Sequence, residues 1–157
     1  MTLLKFLFLL SLGAWIGAIF LFIFVAPTAF AIAPTRQVAG DIVGRCLAAL
    51  HRLGLVCGVI FCGASLTYSS LTLGRTDAFA PRHLAVYFML VLTLVSQFGV
   101  SPRMHQLRAD MVEIDRIPQD DPRRVEFNRL HVWSTGLEGG VLLLGLAALL
   151  LTARRLQ

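Results

Sequence analysis

The chain has 157 residues, a formal net charge of +5, 57% hydrophobic residues and a mean hydropathy of +0.75. A soluble domain of this size could not hide so much apolar surface, so a water-soluble globular protein is excluded. The basic balance does not point to nucleic acid, because most arginines flank hydrophobic blocks and the aromatics lie inside them. Arginines so placed read as interfacial anchors beside anionic lipid.

Four apolar blocks follow one another: Leu3 to Val25, Ile42 to Leu73, Leu84 to Val100 and Val132 to Leu151. A bilayer core about 30 Å thick needs roughly 20 apolar residues per helix, and a helix satisfies its own backbone polar groups inside it. The expected fold class is therefore an all-α integral membrane protein, a four-transmembrane-helix bundle forming a single domain. The expected spans are 3–25, 46–71, 84–101 and 131–152. Localisation is expected to be multi-pass in a bacterial inner membrane.

The first block is too long for the 7–15 residue apolar core of a cleaved signal, although Ala29-Phe30-Ala31 offers small-residue cleavage chemistry. It reads as a permanent span ending near Pro27, with Pro34 barring any continuation. The second block carries Asp41, Arg45, His51 and Arg52 early, so it should begin in the interface and protrude. Pro81 suits the first turn of the third helix, and Ser101-Pro102 marks its end or a kink. Residues 103–131 hold six arginines and six acids and read as a solvated helical hairpin broken at Pro118. Asp121-Pro122 looks like an N-cap followed by proline at the first helical position. The fourth helix should therefore start outside the membrane, giving helical extensions on the side of loops one and three.

Four spans place both termini and loop two on one side, the terminal face, and loops one and three on the other, the loop face. His51, His105 and His131 belong to the loop-face half and His83 to the opposite one. Nine basic residues lie on the loop side and five on the terminal side, which by the positive-inside rule favours a cytoplasmic loop face. Seven of the nine acids lie there too, so charge alone does not fix the orientation.

In the second helix His51, Gly54, Gly58, Cys62, Ser65 and Ser69 fall on one stripe. Membrane helices approach through such small residues, so this stripe should face protein, with Leu53, Ile60 and Phe61 facing lipid. Gly13/Gly17 and Gly136/Gly140 repeat the spacing and suit a homo-oligomer or a membrane-complex partner. Cys46, Cys57 and Cys62 read as packing residues, since Cys46 and Cys57 stand about 16 Å apart along the helix, too far for a disulfide.

Glu138 lies about two turns inside an apolar helix, where a charge is expensive, and Arg52 at similar depth is its expected partner. Thr93 and Gln97 share a face of the third helix. His51, Arg52, Gln97, His131 and Glu138 are thus the expected ligand-binding residues around a polar intramembrane pocket. Such a pocket would bind or move a small molecule or ion. Alternatives are a redox protein with haem b ligated by His51 and His131, and a non-catalytic subunit of a membrane complex. No HExxH, P-loop, GxSxG or dinucleotide fingerprint is present, so nothing points to an ordinary enzyme.

Trp15 through Phe30 (WIGAIFLFIFVAPTAF), Ala39-Gly40, Ser101-Pro102 and Leu130 through Leu149 (LHVWSTGLEGGVLLLGLAAL) resemble the transmembrane-protein-205-like family, also catalogued as domain of unknown function 4149. The resemblance implies a compact four-helix membrane protein and no particular reaction. Where the family pattern often has Asn seven residues after the last helix's histidine, this chain has Glu138.

Overall fold

The computed structural model describes residues 1–111 and 116–156. The chain forms α1 (Thr2–Ile32), α2 (Arg36–Leu73), α3 (Pro81–Val95), a π turn (Ser96–Val100), α4 (Ser101–Met111) and α5 (Pro122–Leu156). With α3, the π turn and α4 running on as one rod, four helices are long and apolar enough to cross a membrane. At 1.5 Å per residue, α2 is about 57 Å long and α5 about 52 Å, well beyond a hydrocarbon core of about 30 Å. Both therefore extend past the bilayer, as expected for α5 and for the start of α2. Of the helical hairpin expected over residues 103–131, α4 and the start of α5 form the two arms on either side of Pro118, and residues 112–115 lie outside the described residues.

Prolines act differently from the sequence expectation. The first helix does not end near Pro27; α1 passes through it to Ile32. In lipid, a frayed end would leave several backbone groups unsatisfied, whereas an internal proline frees only one. The Thr28 hydroxyl donates to the Phe24 carbonyl at 2.7 Å, one residue beyond the ring. Termination comes at Ala33, which is extended (φ −71°, ψ 144°), the conformation that the following Pro34 enforces. Where an end or a kink is expected at Ser101-Pro102, the rod runs on through Pro102. Its ring would meet the carbonyl four residues back, and the preceding turn widens so that the Ser101 N–H reaches the Ser96 carbonyl.

Capping fixes the other ends. The Thr35 hydroxyl accepts from the Val38 N–H at 3.2 Å and opens α2. Gly74 closes it in the left-handed region (φ +67°) and donates to the Ser70 carbonyl. Pro81 stands at the first turn of α3. The Asp121 carboxylate accepts from the Arg123 N–H at 2.8 Å and opens α5.

Two antiparallel hairpins, α1/α2 and α3/α5, make the bundle, and α2 packs on α3 while α1 packs on α5. The small-residue stripe of α2 faces inward: His51, Gly54, Gly58, Ser65 and Ser69 are buried. Trp15, 2% exposed, packs its indole against Gly54, leaving no room for a Cβ there. Leu90 fills the space over Gly58, and Ile16 with Met89 fills that over Gly145. Gly13, Gly17 and Gly136 meet open space instead, so these glycines face away from the bundle. Leu53 and Ile60 face outward as expected, but Phe61 does not: it is 1% exposed. Its ring meets Phe8 and His83 edge-on, at 6.1 and 6.0 Å.

Two outcomes follow from these contacts. Gly54→Ala should destabilise the protein by about 1–3 kcal/mol, because rigid Trp15 must move, while Gly13→Ala should be near neutral; thermal unfolding in detergent reads both. Arg123 beside Asp121 holds its carboxyl at about 2, below the ordinary 3.8. The depressed value means this contribution is present above about pH 4 and is lost as pH falls toward 2. Exchange protection of the Arg123 N–H, taken against the intrinsic rate at each pH, should fall across that window in the wild type and show no such step in Asp121→Ala.

Candidate functional site

The inner stripe of α2 delivers His51 to the junction of the two hairpins, where it is 1% exposed. Its Nδ1 lies 2.8 Å from Gln97 Oε1 and its Nε2 lies 2.6 Å from Glu138 Oε1. Three helical rods meet at this one ring. An amide oxygen can only accept, so Nδ1 carries a hydrogen and donates to Gln97. The second contact holds one proton between imidazole and carboxylate, on Nε2 as an ion pair or on Oε1 as a neutral pair. Either way the pair has no net charge, which is the form a low-dielectric site tolerates.

Each partner is placed by local structure. Glu138 lies on the inward face of α5 with Ser134, Val141, Ala148 and Thr152, all buried, and keeps 14% of its side chain exposed. Gln97 is the second residue of the π turn; the extra residue in that turn sets which way its side chain faces. Glu138 Oε2 and the Gln97 amide nitrogen make no hydrogen bond to the described residues. At 1.5 Å per residue, His51 stands roughly 33 Å from Leu73 and Glu138 roughly 24 Å from Arg154. The site therefore lies toward the loop-side edge of the hydrocarbon.

Of the five residues expected around a pocket, three come together: His51, Gln97 and Glu138. Arg52 does not. Its side chain is exposed on the outer face of α2, and Glu138 takes His51 as its partner. One residue further along a helix turns the side chain by about 100°, so Arg52 cannot share the inward direction of His51. His131 is also exposed, seven residues and roughly 10 Å nearer the loop face than Glu138. With both His51 nitrogens engaged and His131 at another depth, these two side chains do not make the paired haem ligands that the sequence suggested.

Two further polar clusters bridge the hairpins, and sequence reasoning missed both. Toward the terminal face, buried His83 donates from Nδ1 to the Asp77 carbonyl at 2.8 Å, and its Nε2 lies 2.9 Å from Ser65 Oγ. Beside it Arg82 donates to Ser69 Oγ at 3.0 Å, and Arg155 donates to Asp77 Oδ2 at 3.0 Å. The signal was present in Ser65 and Ser69 on the inner stripe. Toward the loop face, Arg108 is 9% exposed and donates to the Gly40 carbonyl. It stands 3.5 Å from Asp41 and lies over the Phe127 ring at 5.4 Å. Gly40 and Gly44 leave the space that Arg108 and His105 occupy.

The geometry replaces the expected Arg52–Glu138 coupling with a His51–Glu138 one. In a double-mutant cycle on unfolding in detergent, His51→Leu with Glu138→Leu should show a coupling of about 1–3 kcal/mol. Arg52→Leu with Glu138→Leu should be additive within about 0.5 kcal/mol.

The family description "domain of unknown function", DUF4149, matches residues 10–113. That stretch takes in most of α1, all of α2, α3, the π turn and α4, with His51 and Gln97; Glu138 lies beyond it. Neither a curated protein nor a solved structure matches the chain. With about two thirds of its length so matched, the chain belongs to the DUF4149 family.

Proposed function

We propose that this multi-pass membrane protein binds a small molecule or ion at His51, Gln97 and Glu138, and that a proton moves with the ligand. The observation carrying this reading is the 2.6 Å contact between His51 Nε2 and Glu138 Oε1. Gln97 fixes the tautomer of His51 and aims Nε2 at the carboxylate. The proton can then pass between two groups that both hold it, with no net charge created in the bilayer. Glu138 Oε2 is the acceptor available to a ligand, and the Gln97 amide nitrogen the donor. A ligand donating to Oε2 favours the carboxylate form and drives the proton onto the imidazole; a cation there repels the imidazolium and favours proton release. The position near the loop-side edge gives the site a short path to one aqueous phase. The same reading takes the chain as a single unit in a bacterial inner membrane, and as a relative of transmembrane-protein-205-like proteins.

Infrared difference spectroscopy across an acid titration tests the proton. The wild type should show a carboxylic acid band that is absent in Glu138→Gln and shifted in His51→Asn, since the carboxyl loses its imidazole partner. Identical difference spectra for wild type and Glu138→Gln would mean that Glu138 does not exchange a proton, and the reading would fall.

A further inference from the structure

The outer crevice between α2 and α4 carries basic side chains that the His51 site does not use. Asp41, Arg45 and Arg52 recur on one stripe of α2, and all three are exposed. Across the crevice, exposed His105 rests against Gly44, where a Cβ would come within 2.9 Å of its Cε1. One turn further along α4, Arg108 lies over Gly40, with its Nε buried and without a partner among the described residues. Asp41, the acid of the group, faces Arg108 at 3.5 Å. Arg45, Arg52 and His105 are left without an ion pair or hydrogen bond to the described residues.

The crevice stands where the surface changes character. Beyond Arg52 toward the membrane centre, the outward residues of α2 are Leu53, Val56 and Val59, and those of α3 and the π turn include Leu94 and Phe98. In the other direction come Arg45 and Asp41. This is the level at which phospholipid headgroups meet acyl chains. Unpaired arginines there have one abundant partner, and their planar donor fork matches phosphate oxygens.

We infer that this crevice is a binding site for the phosphate headgroup of an anionic phospholipid. Arg45 and Arg52 grip the phosphate oxygens, His105 lines the edge, Arg108 supplies charge from beneath, and an acyl chain lies along Val56, Val59 and Phe98. Inorganic phosphate offers the same oxygens without the acyl chain, so the two sources can be told apart. The inference stands independently of the proton held by Glu138.

The test places the full-length chain in nanodiscs of phosphatidylglycerol and phosphatidylcholine in equal amounts and counts the retained lipids by native mass spectrometry. The wild type should retain phosphatidylglycerol preferentially. A charge-assisted hydrogen bond to a bound phosphate is worth about tenfold or more, so Arg45→Gln/Arg52→Gln should lower the preference by more than about tenfold. Arg75→Gln/Arg154→Gln removes the same charge at exposed terminal-face positions and should leave it unchanged. A preference that survives Arg45→Gln/Arg52→Gln, or falls equally in both double variants, overturns the site. Loss of the preference on adding millimolar inorganic phosphate overturns the lipid as its ligand. Both double variants change exposed side chains only, and an unaltered thermal midpoint shows that each is folded.

Discussion

His51 has two ring nitrogens to satisfy where the bilayer supplies no water, and the bundle is arranged around how it does so. The partners come from the other hairpin: Gln97 from the π turn and Glu138 from α5. Neither can reach unless α2 approaches closely, and the stripe that carries His51 allows that approach through Gly54 and Gly58. Trp15 and Leu90 fill the remaining space. A side chain at either glycine would push a neighbour outward and lengthen the bonds at His51, one turn from Gly54 and two from Gly58. Packing and polarity are therefore one constraint here: close approach lets the polar groups meet, and their meeting fixes the register.

The same face of α2 meets polar groups at three levels. Near the loop face it offers the Gly40 carbonyl to Arg108, which Asp41 on the neighbouring stripe also meets. At mid-height it offers His51. Near the terminal face it offers Ser65 and Ser69 to His83 and Arg82. In lipid, apolar side chains gain little by leaving the solvent, so helix association depends on packing and on such bonds. Three levels of pairing resist sliding of one hairpin past the other, since a shift of one turn would break all of them together.

Much of this was legible in the sequence, for identifiable reasons. The four spans follow from block length against bilayer thickness. The inward stripe of α2 follows from helical spacing, and with it the burial of His51 and the outward placing of Leu53 and Ile60. Depth counting brought Glu138 to the right half of the molecule. Depth, however, gives height along a helix and says little about direction. Arg52 was paired with Glu138 by height, although Asp41, Arg45 and Arg52 share a stripe that diverges from that of His51. His131 failed on height itself, about two turns too near the loop face. Phe61 was misread because its neighbour Ile60 does face outward, and a large ring can lie on the border between two faces. Pro27 was read by the rules of water, where a helix can simply stop; in a membrane it costs less to bend or widen, and before Pro102, where an end or a kink is expected, the turn widens. The Arg108 and His83 clusters were hidden because backbone carbonyls take part in both, and no side-chain pattern announces a carbonyl.

The three levels differ in what their bonds can do. Arg108 holds a fixed charge against a carbonyl and a carboxylate. Arg82 holds one against a hydroxyl. His83 is bonded to a carbonyl and a serine, neither of which takes up or gives off a proton under ordinary aqueous conditions. At His51 the partner across the 2.6 Å contact is a carboxyl group, which can hold the same proton that the imidazole holds. Two positions for one proton make a contact that can change state without changing its net charge, and only this level has them among the described residues. The outer levels are suited to holding the hairpins in place while the middle one changes. That division of labour supports placing the functional centre at Glu138 rather than at the more heavily charged ends of the molecule.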